Sequence, residues 1–147
     1  MPYWRRHCQA QTHKVLGASV NIREMPFVFV YGSLRSGESN HAQLAGAVAI
    51  GVTRTAPRFT LIDLGEFPAL IADGHDRVTG EVYEVSAEHL ARLDAFEEHP
   101  HVYARSTIEL EDGREVLAYL PAKRPEGPRI ASGDWCRFRL GASPADR

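Results

Sequence analysis

The sequence predicts an α+β domain: a small mixed β-barrel or curled sheet with flanking helices. Three observations carry that expectation. Between Phe27 and Leu120 lie six or seven short apolar, β-branched and aromatic runs, most of them following one another directly. Long helical stretches do not alternate with them, which argues against a doubly wound α/β sheet. Helix punctuation is confined to two places, after Asn40 and after Ser86.

The elements follow in order. Phe27–Tyr31 is apolar at every position, the pattern of a strand buried on both faces. Asn40 can cap a short helix running to Gly46. Residues 47–55 read as a strand closed by Pro57, and 59–64 and 67–71 as two strands parted by Gly65. "ADGH" (72–75) reads as a turn, and 78–85 as the next strand. Ser86 caps the helix "AEHLARLDAFE" (87–97), whose first turn carries Glu88 where the macrodipole favours an anion. Tyr103–Leu110 and Glu115–Leu120 flank "EDGR", a hairpin signal. "KRPEGP" is a loop, and "GDWCRF" (133–138) a last short extended piece.

Composition removes several functional classes. At 147 residues, 44% hydrophobic and 24% charged, the chain has room for one domain with a real core. A formal net charge of -2 offers no basic field for phosphate neutralisation, so nucleic acid is not an expected partner. No apolar run approaches the roughly 20 residues of a membrane helix, so a membrane is not expected either. Cys8 and Cys136 lack metal-ligand spacing and are too few for a disulfide framework, so a reducing cytoplasm is the expected compartment. The sequence carries no signal of oligomeric state. Residues 1–24 are basic and aperiodic, and Arg5-Arg6 lacks the apolar region of a secretory or twin-arginine signal. The expected division is a loose N-terminal extension (1–24), a functional domain (25–140) and a polar tail (141–147).

The stretch "FVFVYGSLRSGES" (27–39) holds the first chemical signal. Its G-x-x-x-x-G-E-S differs by one letter from the phosphate-cradling G-x-x-x-x-G-K-[ST]. That letter decides against a nucleotide, because Glu38 stands where a lysine would neutralise the terminal phosphates. Ser33 is not in a G-x-S-x-G elbow either, since the local sequence is Tyr31-Gly32-Ser33-Leu34. What remains is a strand that stops at Gly32 and leaves backbone N–H groups without ladder partners. Such a turn can cup an anionic or carbonyl oxygen, although a plain strand-to-loop turn has the same pattern.

The helix at 87–97 supplies a second signal. Successive helical residues turn by about 100°, which gathers Leu90, Leu93 and Phe96 on one apolar face. The same count sets Glu97 inside that stripe, between Leu90 and Leu93, and Glu98 outside it. A carboxylate turned inward is costly unless paired or protonated, and desolvation raises its pKa toward the range of a general base. A fraying helix end, or a pair with Arg105, would account for the same pattern. His75, His89, His99 and His101 offer no third ligand at a recognised spacing, so no metal is expected. The strand aromatics Phe27, Phe29, Phe59 and Phe67 read as core.

Together these residues resemble the γ-glutamylcyclotransferase-like (AIG2-like) family, nearest its γ-glutamylamine cyclotransferase branch. The resemblance begins at "FVFVYGSLRSGESNH", with its strand, Y-G-[ST]-L loop, glycine and Asn-His. It continues through "FPALI", "GEVYEV" and "LDAFEEHPHVYAR", the last similar to an L-D-x-F-E segment with a tyrosine six residues after the glutamate, and closes near "GDW". Four collinear blocks over about residues 26–136 make the match specific where any one would be weak.

The resemblance implies a small mixed β-barrel with helices at its side and a cavity at its mouth. By position, Tyr31, Gly32, Ser33 and Leu34 would bind the γ-glutamyl group, Glu97 would be the acid/base, and Tyr103 its aromatic neighbour in the substrate site. The implied reaction converts a γ-glutamyl-amine or γ-glutamyl peptide to 5-oxoproline and free amine, without metal or organic cofactor. Charge and imidazole in "EHPH", after the glutamate, bear on which leaving group fits. The rival reading is a non-catalytic module on the same fold, holding a small molecule or a protein, since fold does not dictate activity.

A chain starting at Met25 is expected to keep its fold and activity, because residues 1–24 show no core periodicity. Thermal unfolding checks this: precipitation or a large drop in Tm would show that the extension is part of the domain.

Overall fold

The computed structural model describes residues 26–141. The expected extension and most of the tail therefore lie outside the described residues. Strands β1 (Phe27–Val30), β2 (Val48–Arg54), β3 (Phe59–Asp63), β4 (Pro68–Asp76) and β5 (Thr79–Glu84) precede helix α1 (Ala87–Phe96). Strands β6 (Tyr103–Glu109) and β7 (Glu115–Pro121) and helix α2 (Trp135–Gly141) follow. A single 3₁₀ turn covers His41–Leu44.

The fold is α+β, as the sequence predicts. Five strands form a mixed sheet in the order β2-β5-β1-β7-β6, and β3 and β4 form a separate hairpin. Only β1 and β7 run parallel, with Val28 opposite Leu117. The sheet is curled: just beyond its two edge strands, Thr55 and Leu110 meet in an isolated bridge. The curled form of the expected layout is therefore the one adopted.

Strand β1 is the centre of this arrangement, and all four of its residues are buried. Phe27 and Phe29, with Tyr31 beyond the strand, face a core that includes Phe59, Leu61 and Leu70 of the hairpin and Trp135 of α2. Val28 and Val30 face the other way, onto Leu34, Leu44, Leu93 of α1 and Tyr119. Gly80 lets β5 lie this close, because a Cβ there would sit 2.4 Å from the Val30 carbonyl oxygen and 2.5 Å from the Phe29 ring.

Two local expectations are corrected. "ADGH" does not end a strand: β4 continues to Asp76, and Ala72–His75 bulge out between the pairs Thr60/Ile71 and Phe59/Asp76. The Thr60 hydroxyl donates to the Asp73 carbonyl at 2.7 Å and holds the bulge. Turn residues here deform a ladder that neighbouring pairs keep intact. "GDWCRF" is helical rather than extended, because Asp134 acts as an N-cap, its Oδ1 accepting from the Arg137 N–H at 3.1 Å. Burial of Trp135 (2% exposed) then anchors a helix too short to stand alone.

Helix α1 begins as expected, with Ser86 Oγ accepting from the His89 N–H at 3.0 Å. It ends in a Schellman motif: the Glu98 N–H donates to the Ala95 carbonyl at 3.2 Å and the His99 N–H to the Asp94 carbonyl at 2.9 Å. Glu98 takes the left-handed conformation this motif needs, with φ +55°. The reversal makes Glu97 the last residue in helical conformation, held on the inner side of the turn.

A buried ion pair fixes the loop after β1. Arg35 and Glu81 are 7% and 9% exposed, and Arg35 Nε donates to Glu81 Oε2 at 3.1 Å. Arg35 Nη1 donates to Asp134 Oδ1 at 2.9 Å, tying the loop to the start of α2. Glu81 Oε1 accepts from the Ser36 N–H at 2.9 Å and the Tyr83 hydroxyl at 2.7 Å. Burial alone would raise the Glu81 pKa, but these donors and the Arg35 charge outweigh it and hold the carboxylate below its usual range.

Removing one partner strands a charge, so Arg35→Met is expected to cost about 3–5 kcal/mol in urea unfolding. Arg35→Met combined with Glu81→Leu should regain a large part of that loss. A single variant as stable as the parent would show that water reaches the pair.

Candidate active site

The strand that organises the core also delivers the site. β1 and β7 run parallel, so Tyr31 finishes beside the residues of β7 that pair with the start of β6, where Tyr103 stands. A cavity of about 200 Å³ opens there. Tyr31, Gly32, Ser33 and Leu34 line it together with Glu97 and Tyr103, so all six residues singled out in the sequence border one space.

The loop wall is shaped by contact and by hydrogen bonding. A Cβ on Gly32 would sit 2.7 Å from Cγ and Cδ of Pro68, so only glycine lets the loop lie against the β4 start. Asn40 braces Ser33 twice: its Nδ2 donates to Ser33 Oγ at 3.0 Å and its N–H to the Ser33 carbonyl at 2.9 Å. His41 Nδ1 lies 2.9 Å from the Leu34 carbonyl oxygen. The N–H groups of Gly32, Ser33 and Leu34 have no backbone acceptor among the described residues, although Gly32 and Leu34 are buried. Amides left this way are donors available to a ligand.

Tyr31 is a brace. Its hydroxyl donates to the Tyr119 carbonyl at 2.6 Å, and burial, reinforced by the nearby Tyr103 and Glu97, raises its pKa well above the usual tyrosine value. Tyr119 in turn donates its hydroxyl to Asp94 Oδ1 at 2.6 Å.

Glu97 forms the opposite wall. Burial pushes its pKa up to about 7. The cation weighed as its partner is committed elsewhere, since Arg105 Nη1 donates to Asp94 Oδ2 at 2.6 Å. No described residue gives the Glu97 carboxylate a hydrogen bond or an ion pair within normal distance. Glu98 also borders the cavity, but it is exposed. The Tyr103 N–H donates to the Glu97 carbonyl at 3.2 Å, which sets the two side by side. Burial, then the Glu97 charge, pushes the Tyr103 phenol up to about 12. At neutral pH it keeps its proton and can donate.

Of the histidines weighed as ligands, His75 and His101 are exposed and the other two are hydrogen-bonded within the fold. His89 is buried with Nε2 2.8 Å from the Gln43 carbonyl oxygen, and His99 Nδ1 accepts from the Arg105 N–H at 2.9 Å. Among the described residues no three His, Cys, Asp or Glu side chains gather as a ligand set.

Sequence reasoning missed several participants. Phe67, expected in the core, is 42% exposed and lines the cavity with Phe96 and Val102. Asn40, read as a helix cap, makes no capping bond and braces the loop instead. Arg35 and Glu81 both lie in quoted motif blocks, yet their pairing across 46 positions had no local signal.

Comparison with known proteins finds relatives over most of the described residues. The family model described as "Gamma-glutamyl cyclotransferase, AIG2-like" matches residues 28–137. A Vibrio cholerae protein that carries a provisional γ-glutamylcyclotransferase name is 44% identical over 110 residues, covering 75% of this chain and 95% of that one. Gamma-glutamylaminecyclotransferase B of Danio rerio is 38% identical over 96 residues, covering 59% of this chain and 50% of that one. The crystal structure of a mouse AIG2-like protein superposes with a TM-score of 0.66 at 29% identity, covering 83% of this chain and 92% of that one. The matched span runs from β1 into α2 and takes in the loop, Glu97 and Tyr103, and by it the chain belongs to the γ-glutamyl cyclotransferase, AIG2-like family.

Proposed function

We propose that the protein cyclises a γ-glutamyl compound to 5-oxoproline and releases the amine, with Glu97 as general acid/base. One observation carries the reading: a desolvated carboxylate without a partner faces, across a small cavity, a loop whose amides have no backbone acceptor. A pure binding module has no use for that carboxylate, whose burial is a cost without a compensating bond.

The chemistry follows from the groups present. The α-amino nitrogen attacks the γ-carbonyl carbon, and the bond from that carbon to the leaving amine breaks. At neutral pH the attacking group is an ammonium and ends as a lactam N–H, so it sheds two protons; Glu97 takes one before the attack and one after it, and passes each in turn to the departing nitrogen, which leaves as an ammonium. A base with a pKa of about 7 is matched to both halves of that task. The amides of Gly32, Ser33 and Leu34 stabilise oxygen charge on the substrate, and the protonated Tyr103 hydroxyl donates toward it or toward Glu97. Because the reaction is intramolecular, holding the chain in a folded shape supplies much of the acceleration.

Glu97→Gln is expected to lower kcat for 5-oxoproline release by about 10²–10⁴-fold with little change in KM, while Glu98→Gln stays near the parent. Tyr103→Phe should give a smaller loss. An active Glu97→Gln beside a dead Glu98→Gln would overturn the assignment. With Glu97 as base, kcat/KM should rise with pH through about 7, and a profile flat from pH 5 to 9 would contradict it.

The same group links stability to pH. Glu97 titrates near its ordinary 4.5 when unfolded and about 7 when folded, so between those values the folded protein binds more protons. The neutral form's contribution to stability is full below the lower value and lost as pH rises through the upper one. Glu97→Gln should therefore gain stability over the parent at pH 8 by on the order of 2 kcal/mol and show little gain at pH 4. Equal stability differences at both pH values would show that Glu97 is solvated.

A further inference from the structure

We propose that His99 is a positioning residue for Glu97: its neutral imidazole, with the proton on Nε2, clasps the end of α1 to the edge of β6 and so holds the carboxylate at the cavity wall. This rests on the proposed cyclisation for the role of Glu97 and adds the group that keeps it in place.

Three hydrogen bonds close a ring around the segment that carries this wall. The His99 N–H donates to the Asp94 carbonyl at 2.9 Å. His99 Nδ1 accepts from the Arg105 N–H at 2.9 Å. Arg105 Nη1 completes the ring by donating to Asp94 Oδ2 at 2.6 Å. Asp94 belongs to α1 and Arg105 to β6, so His99 is bonded to both elements at once. Glu97 and Tyr103 both fall between Asp94 and Arg105 in the chain, within the segment that the ring closes.

The edge of the sheet explains why an imidazole serves here. β6 is an edge strand, and its outward N–H groups need acceptors. The Tyr103 N–H finds the Glu97 carbonyl at 3.2 Å, and two residues on the Arg105 N–H finds the His99 ring. The turn at 97–99 thus takes the place of a neighbouring strand, with a ring nitrogen standing in for a second carbonyl. A peptide N–H can only donate, so Nδ1 must present its lone pair, and the neutral ring then carries its proton on Nε2.

Glu97 needs such a tie. It is the C-cap of α1, where helices fray, and a partly buried carboxylate without a partner gains by turning out into water. The Schellman bonds stay within the helix end, whereas the Glu97 carbonyl and the His99 ring fasten that end to the sheet. His99 is not among the residues that line the cavity, so it acts through Glu97 and not on the substrate.

The test compares His99→Leu, which has no acceptor, with His99→Asn, whose Oδ1 stands where Nδ1 was and accepts from the same N–H. Activity is read as 5-oxoproline release from γ-glutamylglycine or γ-glutamyl-isobutylamide, using the one that the parent turns over faster. His99→Leu is expected to lower kcat by about ten- to a hundredfold with little change in KM, because the base is misplaced and the binding loop is not. The Glu97 carboxyl midpoint, read by ¹³C NMR, should move from about 7 toward 4.5 in the same variant. His99→Asn should return both readings close to the parent's. A His99→Leu variant with the parent's kcat and Glu97 midpoint, or a His99→Asn variant as impaired as His99→Leu, would overturn the assignment whatever happens to Tm. Should His99→Leu fail to fold, the parent's ring ¹⁵N shifts at a pH of about 8 still decide: Nδ1 must be bare, and a proton on Nδ1 would overturn the clasp. A parent that releases no 5-oxoproline from either substrate would remove the cyclisation, while the Glu97 midpoints of the two variants would still decide the role of His99.

Discussion

A carboxylate taken partly out of water and given no cation is the constraint around which the site is built. Burial raises the free energy of the charged Glu97, and nothing nearby offsets it. The usual remedy would be an arginine, but Arg105 is held by Asp94, whose other oxygen is engaged by Tyr119. That small network keeps α1 attached to β6 and β7 while denying its cation to Glu97. The protein keeps a proton-transfer group near neutrality by committing its charges one turn earlier on the same helix.

The opposite wall obeys a complementary logic. A loop with unpaired amides is unstable unless something rigid holds it open. Here the Arg35–Glu81 pair, its links to Ser36, Tyr83 and Asp134, and the double brace from Asn40 supply that rigidity. Gly32 lies against Pro68 with no room for a side chain. The two walls are thus fixed by separate networks, one around Asp94 and one around Glu81, and Tyr31 ties them together through its bond to the Tyr119 carbonyl.

Much of this was legible in the sequence, for identifiable reasons. β1 declares itself because burial on both faces removes any need for polar positions, and Glu97 because a helix of known period puts it within the stripe of Leu90 and Leu93. The Ser86 cap and the "EDGR" hairpin are local chemistry and read directly. What failed was decided at a distance. The bulge at Ala72–His75 depends on β3 holding its register, and α2 depends on a core that receives Trp135. Phe67 and Phe96 look like core residues in one dimension, and only the folded chain shows them bordering an opening.

The central claim is that Glu97 is a desolvated carboxyl which titrates near neutrality in the folded protein. The direct measurement is its side-chain carboxyl ¹³C shift by NMR across pH 4–9, assigned by loss of the signal in Glu97→Gln. The account predicts a midpoint at about 7. A Glu97 midpoint near its ordinary 4.5 would contradict it, because a carboxylate already ionised and solvated there is too weak a base for the role assigned to it.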